Sequence, residues 1–126
     1  MSQSKKEIKC VIWDLDCTLW DGTLAESDDV QLKPGVVDII KTLDSRGILH
    51  SIASKNNYEE ALERLTKFGI DEYFLYPQVG WNAKSVMLAN IQKDLNIAMD
   101  TFLFIDDQPF EREEVEAAHP DITCMD

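Results

Sequence analysis

Short apolar runs alternate along this chain with longer stretches in which apolar residues recur every three or four positions. Continuous apolar runs of a few residues are typical of strands that a sheet buries on both faces. The predicted strands are residues 9–13, 48–53, 73–76, 101–105 and 122–125. The stretches between them have the spacing of helices that bury one face.

Residues that favour helix ends stand at the boundaries of these stretches. Pro34 suits the first turn of a helix, and Gly47 suits the position after its end. Asn57 is placed to cap a second helix, which Gly69 ends. The third and fourth helices are predicted over about residues 82–95 and from residue 109 to just before Pro120.

The alternation of strand and helix predicts an α/β protein with a parallel sheet. We expect a Rossmann-like, three-layer α/β/α sandwich around a five-stranded sheet. A chain of 126 residues suits one modest core, so residues 1–126 are predicted to form a single domain, with residues 1–7 disordered. Residues 20–32 carry turn signals and are predicted to form a small flap, as a short hairpin.

The chain is acidic, with a formal net charge of −12. A surface of this charge repels nucleic acid, so we expect no nucleic-acid partner. The three cysteines show no Cys-x-x-Cys spacing, which disfavours a disulfide framework and a zinc site. Because no apolar run is long enough to cross a membrane and no charged-then-apolar leader is evident, we expect a cytoplasmic protein without a membrane partner.

Polar residues concentrate where the predicted strands end, which is where parallel α/β sheets bind their ligands. They are Asp14, Asp16 and Thr18 after the first strand, Ser54, Lys55 and Asn56 after the second, Asp106 and Asp107 after the fourth, and Lys84 at the start of the third helix. Four carboxylates at one edge cannot all stay ionised without a cation. Hard oxygen ligands suit Mg²⁺, and Mg²⁺ beside carboxylates, a hydroxyl and a lysine outlines a phosphoryl-transfer site.

In a site of this kind the carboxylate at the strand end can act as a nucleophile and form an aspartyl phosphate. That residue is Asp14 here. Asp16, two residues later, points the same way and can protonate the leaving group and later activate water.

Four motifs in this order resemble those of the haloacid dehalogenase superfamily of phosphotransferases. The first is DLDCT, residues 14–18, followed by Ser54, Lys84 and the pair Asp106 and Asp107. Longer stretches are similar to the FkbH-like branch of subfamily IIIC of that superfamily, namely DLDCTLW, IASKN, GWNAKS, LNI and FIDDQPFEREEV. The resemblance implies the sheet order 5-4-1-2-3 among five strands.

The resemblance also implies a role for each motif residue. Asp14 would be the nucleophile and Asp16 the general acid and base. Asp106 would ligate Mg²⁺ together with Asp14 and the Asp16 carbonyl, while Asp107 would act through a water or from outside the inner ligands. The phosphoryl oxygens would be held by the remaining motif residues, Ser54 and Lys84.

Five further residues are candidates for contact with phosphate or substrate. Thr18, Lys55 and Asn56 are expected near the phosphate, although Lys55 also suits an exposed surface and Asn56 the start of a helix. Trp20 and Trp81 flank the predicted opening, where each suits either substrate contact or the core. The run EREEVE, residues 111–116, is predicted to be a solvated helix face.

Neither place in which this superfamily inserts a cap domain has room for one in this sequence. A capless site is open, which suits a large substrate or a partner that closes the site. We therefore expect a phosphohydrolase or phosphotransferase that acts on a phosphorylated small molecule or protein. The FkbH-like resemblance implies a second activity, in which the glyceryl group of 1,3-bisphosphoglycerate is transferred to an acyl carrier protein in polyketide biosynthesis.

A receiver-like signalling module is an alternative from another class, since receivers also combine clustered carboxylates, Mg²⁺, a hydroxyl and a lysine. Receivers carry the acid pair after the first strand and the phosphorylated aspartate after the third. Here the acid pair Asp106 and Asp107 follows the fourth predicted strand, and the third ends at Tyr76 and Pro77. A catalytically idle interaction domain is a further alternative, although every motif residue is present.

Overall fold

A computed structural model describes residues 7–26 and 29–126, so only Glu7 of the segment expected to be disordered is described. The strands in these residues are β1 (Cys10–Trp13), β2 (Trp20–Asp21), β3 (Gln31–Leu32), β4 (Leu49–Lys55), β5 (Gln78–Gly80), β6 (Phe102–Ile105) and β7 (Thr123–Met125). The α-helices are α1 (Val36–Ser45), α2 (Tyr58–Lys67), α3 (Lys84–Leu95) and α4 (Pro109–Ala118). No helix in the described residues is both long and apolar enough to cross a membrane.

The main sheet has five parallel strands in the order β5-β4-β1-β6-β7. Val11 at its centre pairs with His50 of β4 on one side and Leu103 of β6 on the other. Strands β2 and β3 form a separate antiparallel hairpin, as expected for the flap. Numbered among the five strands of the main sheet alone, the order is 5-4-1-2-3 from the β7 edge, which confirms the prediction.

Helices cover both faces of the sheet, so the three-layer α/β/α architecture is also confirmed. On one face Val11 and Trp13 of β1 pack in the cluster that contains the buried residues of α1 and α2. On the other face Cys10 and Ile12 pack with buried residues of α3 and α4. Because both faces are covered, β1 has no polar position, which explains its continuous apolar run.

The predicted helix ends have the expected local chemistry. The Asn57 side chain accepts a hydrogen bond from the Glu60 amide at 3.0 Å, as an N-cap residue does. Gly69 follows α2 with a φ of 76°, a left-handed conformation that glycine adopts without strain. These two features confirm the predicted ends of α2.

The position of the third strand was predicted wrongly. The apolar residues at 73–76 do not form it: residues Asp71–Tyr73 form a short 3₁₀ turn, and Phe74 makes only an isolated bridge with His50. Tyr76 then turns the chain with a φ of 49°, and regular pairing with β4 begins at β5. Phe74 is buried in the core without being a strand residue, and an apolar run does not distinguish the two cases.

A buried histidine lies at the centre of this core. Trp13 donates its indole N–H to Nδ1 of His50 at 3.0 Å, and the imidazole is 1% exposed. Burial lowers the pKa of His50, against the opposing effects of the Ile40 carbonyl and the Asp44 carboxylate. The folded protein therefore holds this ring neutral at a pH where the unfolded chain protonates it.

We expect His50 to reduce stability in mild acid. In the unfolded chain His50 binds a proton near pH 6.5. The contribution of the neutral, buried ring to the free energy of unfolding is therefore complete above that pH and is lost as the pH falls below it. Between pH 7.5 and 5.5 this loss is at most about 1.4 kcal/mol. Urea unfolding of the protein and of His50→Gln at both pH values measures it, and the decrease should be smaller in the variant. Equal decreases would contradict the assignment.

Candidate active site

Asp14 is the first residue after β1, and its position is fixed by the backbone. Its amide donates to the Ile105 carbonyl at 2.9 Å, which continues the pairing of β1 with β6. The carboxylate is buried and accepts from Lys84 Nζ at 2.7 Å through Oδ1. The Thr18 hydroxyl lies 3.2 Å from Oδ2. Both carboxylate oxygens are therefore held at the carboxyl end of the central strand.

Lys84 joins Asp14 to the acid that follows β6. Its ammonium group lies 2.6 Å from Oδ2 of Asp106, and Asp106 is completely buried. The other oxygen of Asp106 accepts the Gln108 amide at 2.9 Å. Lys84 itself is only 3% exposed although it is the first residue of α3. The sequence placed these residues at one edge, and the structure brings them into direct contact.

The charges in this cluster change one another's proton affinity. Burial raises the pKa of the Asp14 carboxyl to about 7; the Lys84 ammonium opposes the rise and the Asp106 carboxylate adds to it. Burial alone would lower the pKa of Lys84, but the two carboxylates outweigh it and raise the pKa above its usual value. Lys84 therefore keeps its charge at neutral pH. A cation bound at Asp14 would favour the ionised carboxylate.

Three carboxylates converge closely enough to share a cation. One oxygen from each of Asp14, Asp106 and Asp107 lies within 4.8 Å of the others. The Thr18 hydroxyl lies 3.2 Å from Oδ1 of Asp107 and also accepts the Asp107 amide. Oxygen donors of this type fit Mg²⁺, which takes carboxylate ligands and retains several waters. Asp16 was predicted to bind the metal ion through its main-chain carbonyl, and its carboxylate is not one of the three.

The Asp16 carboxylate is held by the flap instead. Its Oδ1 accepts from the Trp20 indole and from the Leu24 amide, each at 3.0 Å. Its Oδ2 accepts from Asn56 Nδ2 at 3.0 Å. Oδ1 is therefore bonded twice and Oδ2 once. This arrangement fixes the orientation of the carboxylate and leaves Oδ2 the freer oxygen for a proton.

The carboxyl end of β4 carries a buried pair of side chains, Ser54 and Asn56, and a partly exposed lysine, Lys55. Asn56 also donates to the hydroxyl of Ser54 at 3.1 Å, and both side chains are buried. Asn56 does not cap α2, since Asn57 has that role. Lys55 pairs with Glu111 at 3.2 Å. A cleft of about 190 Å³ is lined by residues that include Asp14, Asp16, Lys55, Lys84, Asp107 and Glu111.

The two tryptophans that were predicted to flank the opening have different environments. Trp20 is completely buried, with its ring 6.1 Å from that of Phe68, so the prediction that it contacts substrate is wrong. Its indole N–H supports Asp16 instead. Trp81 follows β5 and is 73% exposed, so its contact with substrate stays a prediction.

Sequence reasoning missed the contribution of α4. Residues 111–116 were predicted to be solvated, but Glu111 is buried against Lys55, and Arg112 donates to the Asp106 carbonyl at 2.6 Å. A signal was present in the spacing. Glu111 lies four residues before Val115, which is apolar and fully buried, so both share the inward face of the helix.

The fold and the cluster together define a Rossmann-like α/β enzyme with an acidic, lysine-containing centre at the carboxyl ends of its strands. Residues 22–121 match the family described as haloacid dehalogenase-like hydrolase. The chain belongs to the haloacid dehalogenase-like hydrolase family and is an enzyme of that family. The receiver-like alternative does not fit this assignment. The acid pair Asp106 and Asp107 follows β6, and the residue after β5 is Trp81, where a receiver would have an aspartate.

Similar proteins agree with this family. The chain is 26% identical to human magnesium-dependent phosphatase 1 over 93% of its own length and 76% of that protein. It is 29% identical to the N-terminal part of a Bacteroides fragilis protein whose crystal structure contains a phosphatase domain complexed with Mg, with a TM-score of 0.88 over 96% of this chain. The chain spans only 36% of that structure's length. A hydrolase of this superfamily from Ehrlichia chaffeensis shares the fold at 16% identity and a TM-score of 0.78, over 97% of this chain and 93% of that one.

We expect Mg²⁺ to stabilise the protein through the three clustered carboxylates. Saturation at 100 times the dissociation constant contributes about 2.7 kcal/mol, which corresponds to a rise of roughly 8 °C in melting temperature. Asp107→Asn should remove at least half of this rise because it deletes one anionic ligand. Thermal unfolding with and without Mg²⁺ measures the effect. Asp121→Asn, at an exposed position, is the matched control, and an equal rise in both variants would exclude Asp107 as a ligand.

Proposed function

We propose that the chain is a Mg²⁺-dependent phosphohydrolase or phosphotransferase that works through an aspartyl phosphate on Asp14. The observation that carries this proposal is the environment of the Asp14 carboxylate. It lines a cleft at the end of the central strand, with Lys84 at one oxygen and Thr18 at the other. Asp106 and Asp107 lie close enough to share a cation with it. The phosphatases among the similar proteins support the same activity.

In the first step an oxygen of Asp14 attacks the substrate phosphorus. The new bond joins that oxygen to phosphorus, and the bond from phosphorus to the leaving oxygen breaks. Asp16, in its protonated form, donates its proton to that leaving oxygen from Oδ2. Asp14, Asp106 and Asp107 would hold Mg²⁺, which would supply positive charge to offset that of the reacting phosphoryl group.

Cationic and polar side chains stabilise the transferred group. The Lys84 ammonium, already ionised beside two carboxylates, offers a positive charge to the phosphoryl oxygens. Ser54, Thr18 and Asn56 supply hydrogen-bonding groups, and Lys55 supplies a second charge from the side of the cleft. Trp81 is the exposed aromatic candidate for contact with the rest of the substrate.

In the second step an acceptor attacks the aspartyl phosphate. With water as acceptor, Asp16 takes the proton from the water as its oxygen bonds to phosphorus, and the bond to Asp14 breaks. Inorganic phosphate leaves and both aspartates return to their starting states. The three hydrogen bonds to the Asp16 carboxylate keep it in place for both proton transfers.

The substrate is a phosphorylated small molecule or a phosphorylated group on a larger partner. The cleft of about 190 Å³ holds little more than a phosphoryl group and its immediate neighbours. In the described residues the hairpin of β2 and β3 is the only element inserted between β1 and α1. The rest of a large substrate can therefore extend away from the cleft.

A more specific activity is favoured by the FkbH-like motifs around Asp14, Lys84 and Asp106. In that activity the thiol of an acyl carrier protein displaces the acyl phosphate of 1,3-bisphosphoglycerate, and water hydrolyses the phosphate ester, so that a glyceryl thioester and two phosphates form. The open cleft leaves room for a protein-borne thiol. Incubation with this acyl phosphate, with and without carrier protein, identifies the acceptor. A glyceryl thioester on the carrier supports transfer, whereas phosphate release that is the same with and without carrier, and no thioester, excludes it.

We expect phosphate release from p-nitrophenyl phosphate to require both Mg²⁺ and Asp14. Asp14→Asn should reduce kcat at least about 10³-fold, since the variant has no nucleophilic carboxylate, and EDTA should abolish turnover. Release is measured as nitrophenolate and as inorganic phosphate. Asp121→Asn should retain wild-type rates, and circular dichroism should show that each variant is folded. Turnover by Asp14→Asn at the wild-type rate would exclude the aspartyl phosphate.

We expect the effect of Asp16→Asn to depend on the leaving group. A nitrophenolate leaves without a proton, whereas an alkoxide needs one, so the variant should lose at least about tenfold more activity on an alkyl phosphate than on p-nitrophenyl phosphate. The ratio of kcat/KM between the two substrates measures this difference. An unchanged ratio would show that Asp16 does not protonate the leaving group.

A further inference from the structure

Helix α3 begins with an unfavourable local arrangement. Its first residue is the cation Lys84, although the positive end of the helix dipole disfavours a cation at that position. Ala83 at the N-cap makes no side-chain capping hydrogen bond, and the first turn contains no acidic residue. The first amides of the helix therefore need a partner from elsewhere in the fold.

Helix α4 supplies that partner. The Ser85 amide donates to Oε1 of Glu114 at 3.1 Å, and the Ser85 hydroxyl donates to Oε2 of the same carboxylate. At the end of α4, Nε2 of His119 donates to the Ser85 carbonyl at 2.8 Å. All three polar groups of Ser85, the residue after Lys84, are thus bonded to α4 or to His119, which follows it.

The same helix also holds Asp106. Arg112 donates to the Asp106 carbonyl at 2.6 Å, two residues before Glu114. Helix α4 is therefore bonded both to Asp106, which contacts the Lys84 ammonium, and to Ser85, the residue after Lys84. The separation between Lys84 and Asp106 depends on α4 rather than on either loop alone.

We propose that Glu114 is a positioning residue, which caps α3 from α4 and thereby holds the Lys84 ammonium between Asp14 and Asp106. Its carboxylate satisfies an amide that α3 leaves without a local cap, and it places a negative charge where Lys84 has added a positive one. This role rests on the proposed function only in so far as Lys84 acts on the phosphoryl group. The position of Lys84 is testable without turnover.

Glu114→Ala should reduce kcat by about 10-fold to 100-fold, which is the cost of a displaced catalytic group, with KM changed less than about twofold. Glu114→Gln should recover most of the loss, because an amide oxygen accepts the Ser85 amide and an amide N–H bonds the Ser85 hydroxyl. Glu113→Ala removes the same charge from an exposed neighbour on α4 and should match wild type. A destabilised fold in Glu114→Ala would lower the active fraction, so kcat is expressed per folded molecule, with the folded fraction taken from circular dichroism.

Chemical labelling follows Lys84 without relying on activity. In the wild type its ammonium is buried, so acetic anhydride should modify Lys84 slowly compared with the exposed Lys93 at the other end of α3. Glu114→Ala should raise the labelling of Lys84 several-fold and leave Lys93 unchanged, as measured by peptide mass spectrometry. Ser85→Ala, which deletes one donor to Glu114, should give a smaller increase.

The possible outcomes separate the two proposals. Labelling of Lys84 in Glu114→Ala that equals that of Glu113→Ala would overturn the positioning role, and so would an equal rise at Lys84 and Lys93, which indicates general loosening. A wild-type protein without phosphatase activity would contradict the proposed function, while the labelling would still decide the role of Glu114. A selective rise at Lys84 together with unchanged kcat would show that Glu114 orients a lysine that the reaction does not use.

Discussion

The ammonium group of Lys84, buried between the carboxylates of Asp14 and Asp106, is the interaction on which the rest of the site depends. Each of these charges would cost several kcal/mol to bury alone, and loss of one partner from a buried pair typically costs about 3–5 kcal/mol. The three side chains are therefore tolerated in the interior only as a group. This condition requires the ends of β1 and β6 and the start of α3 to meet within hydrogen-bonding distance.

The need to bring the ends of β1 and β6 and the start of α3 together explains why α4 is polar yet partly buried. The helix follows directly from the acid pair, so its side chains are placed to hold the elements around the cluster. Glu111 pairs with Lys55 at the end of β4, Arg112 bonds the Asp106 backbone, and Glu114 bonds the start of α3. A uniformly apolar inward face would pack against the sheet but would leave these backbone groups without partners.

The sequence predicted what depends on local pattern and on the geometry of parallel sheets. Apolar runs located four of the five main strands, and the rule that strand ends share an edge correctly brought Asp14, Lys84 and Asp106 together. It failed where the partner is distant in sequence. Phe74 is buried beside His50 without joining a strand, and the buried ring of Trp20 packs against Phe68 of the segment after α2. The spacing of apolar residues along the chain indicates neither contact.

The charge of the whole chain and the charge of the site act in opposite directions. A net charge of −12 disfavours the approach of a phosphorylated substrate, and Asp14, Asp106 and Asp107 make the cleft itself acidic. Lys84 and Lys55 offset only part of this charge, so the proposed function needs a divalent cation at the carboxylates for a phosphoryl group to bind. In that proposal, the acidity that disfavours anions elsewhere on the surface would confine phosphate binding to the place where a metal ion can be held.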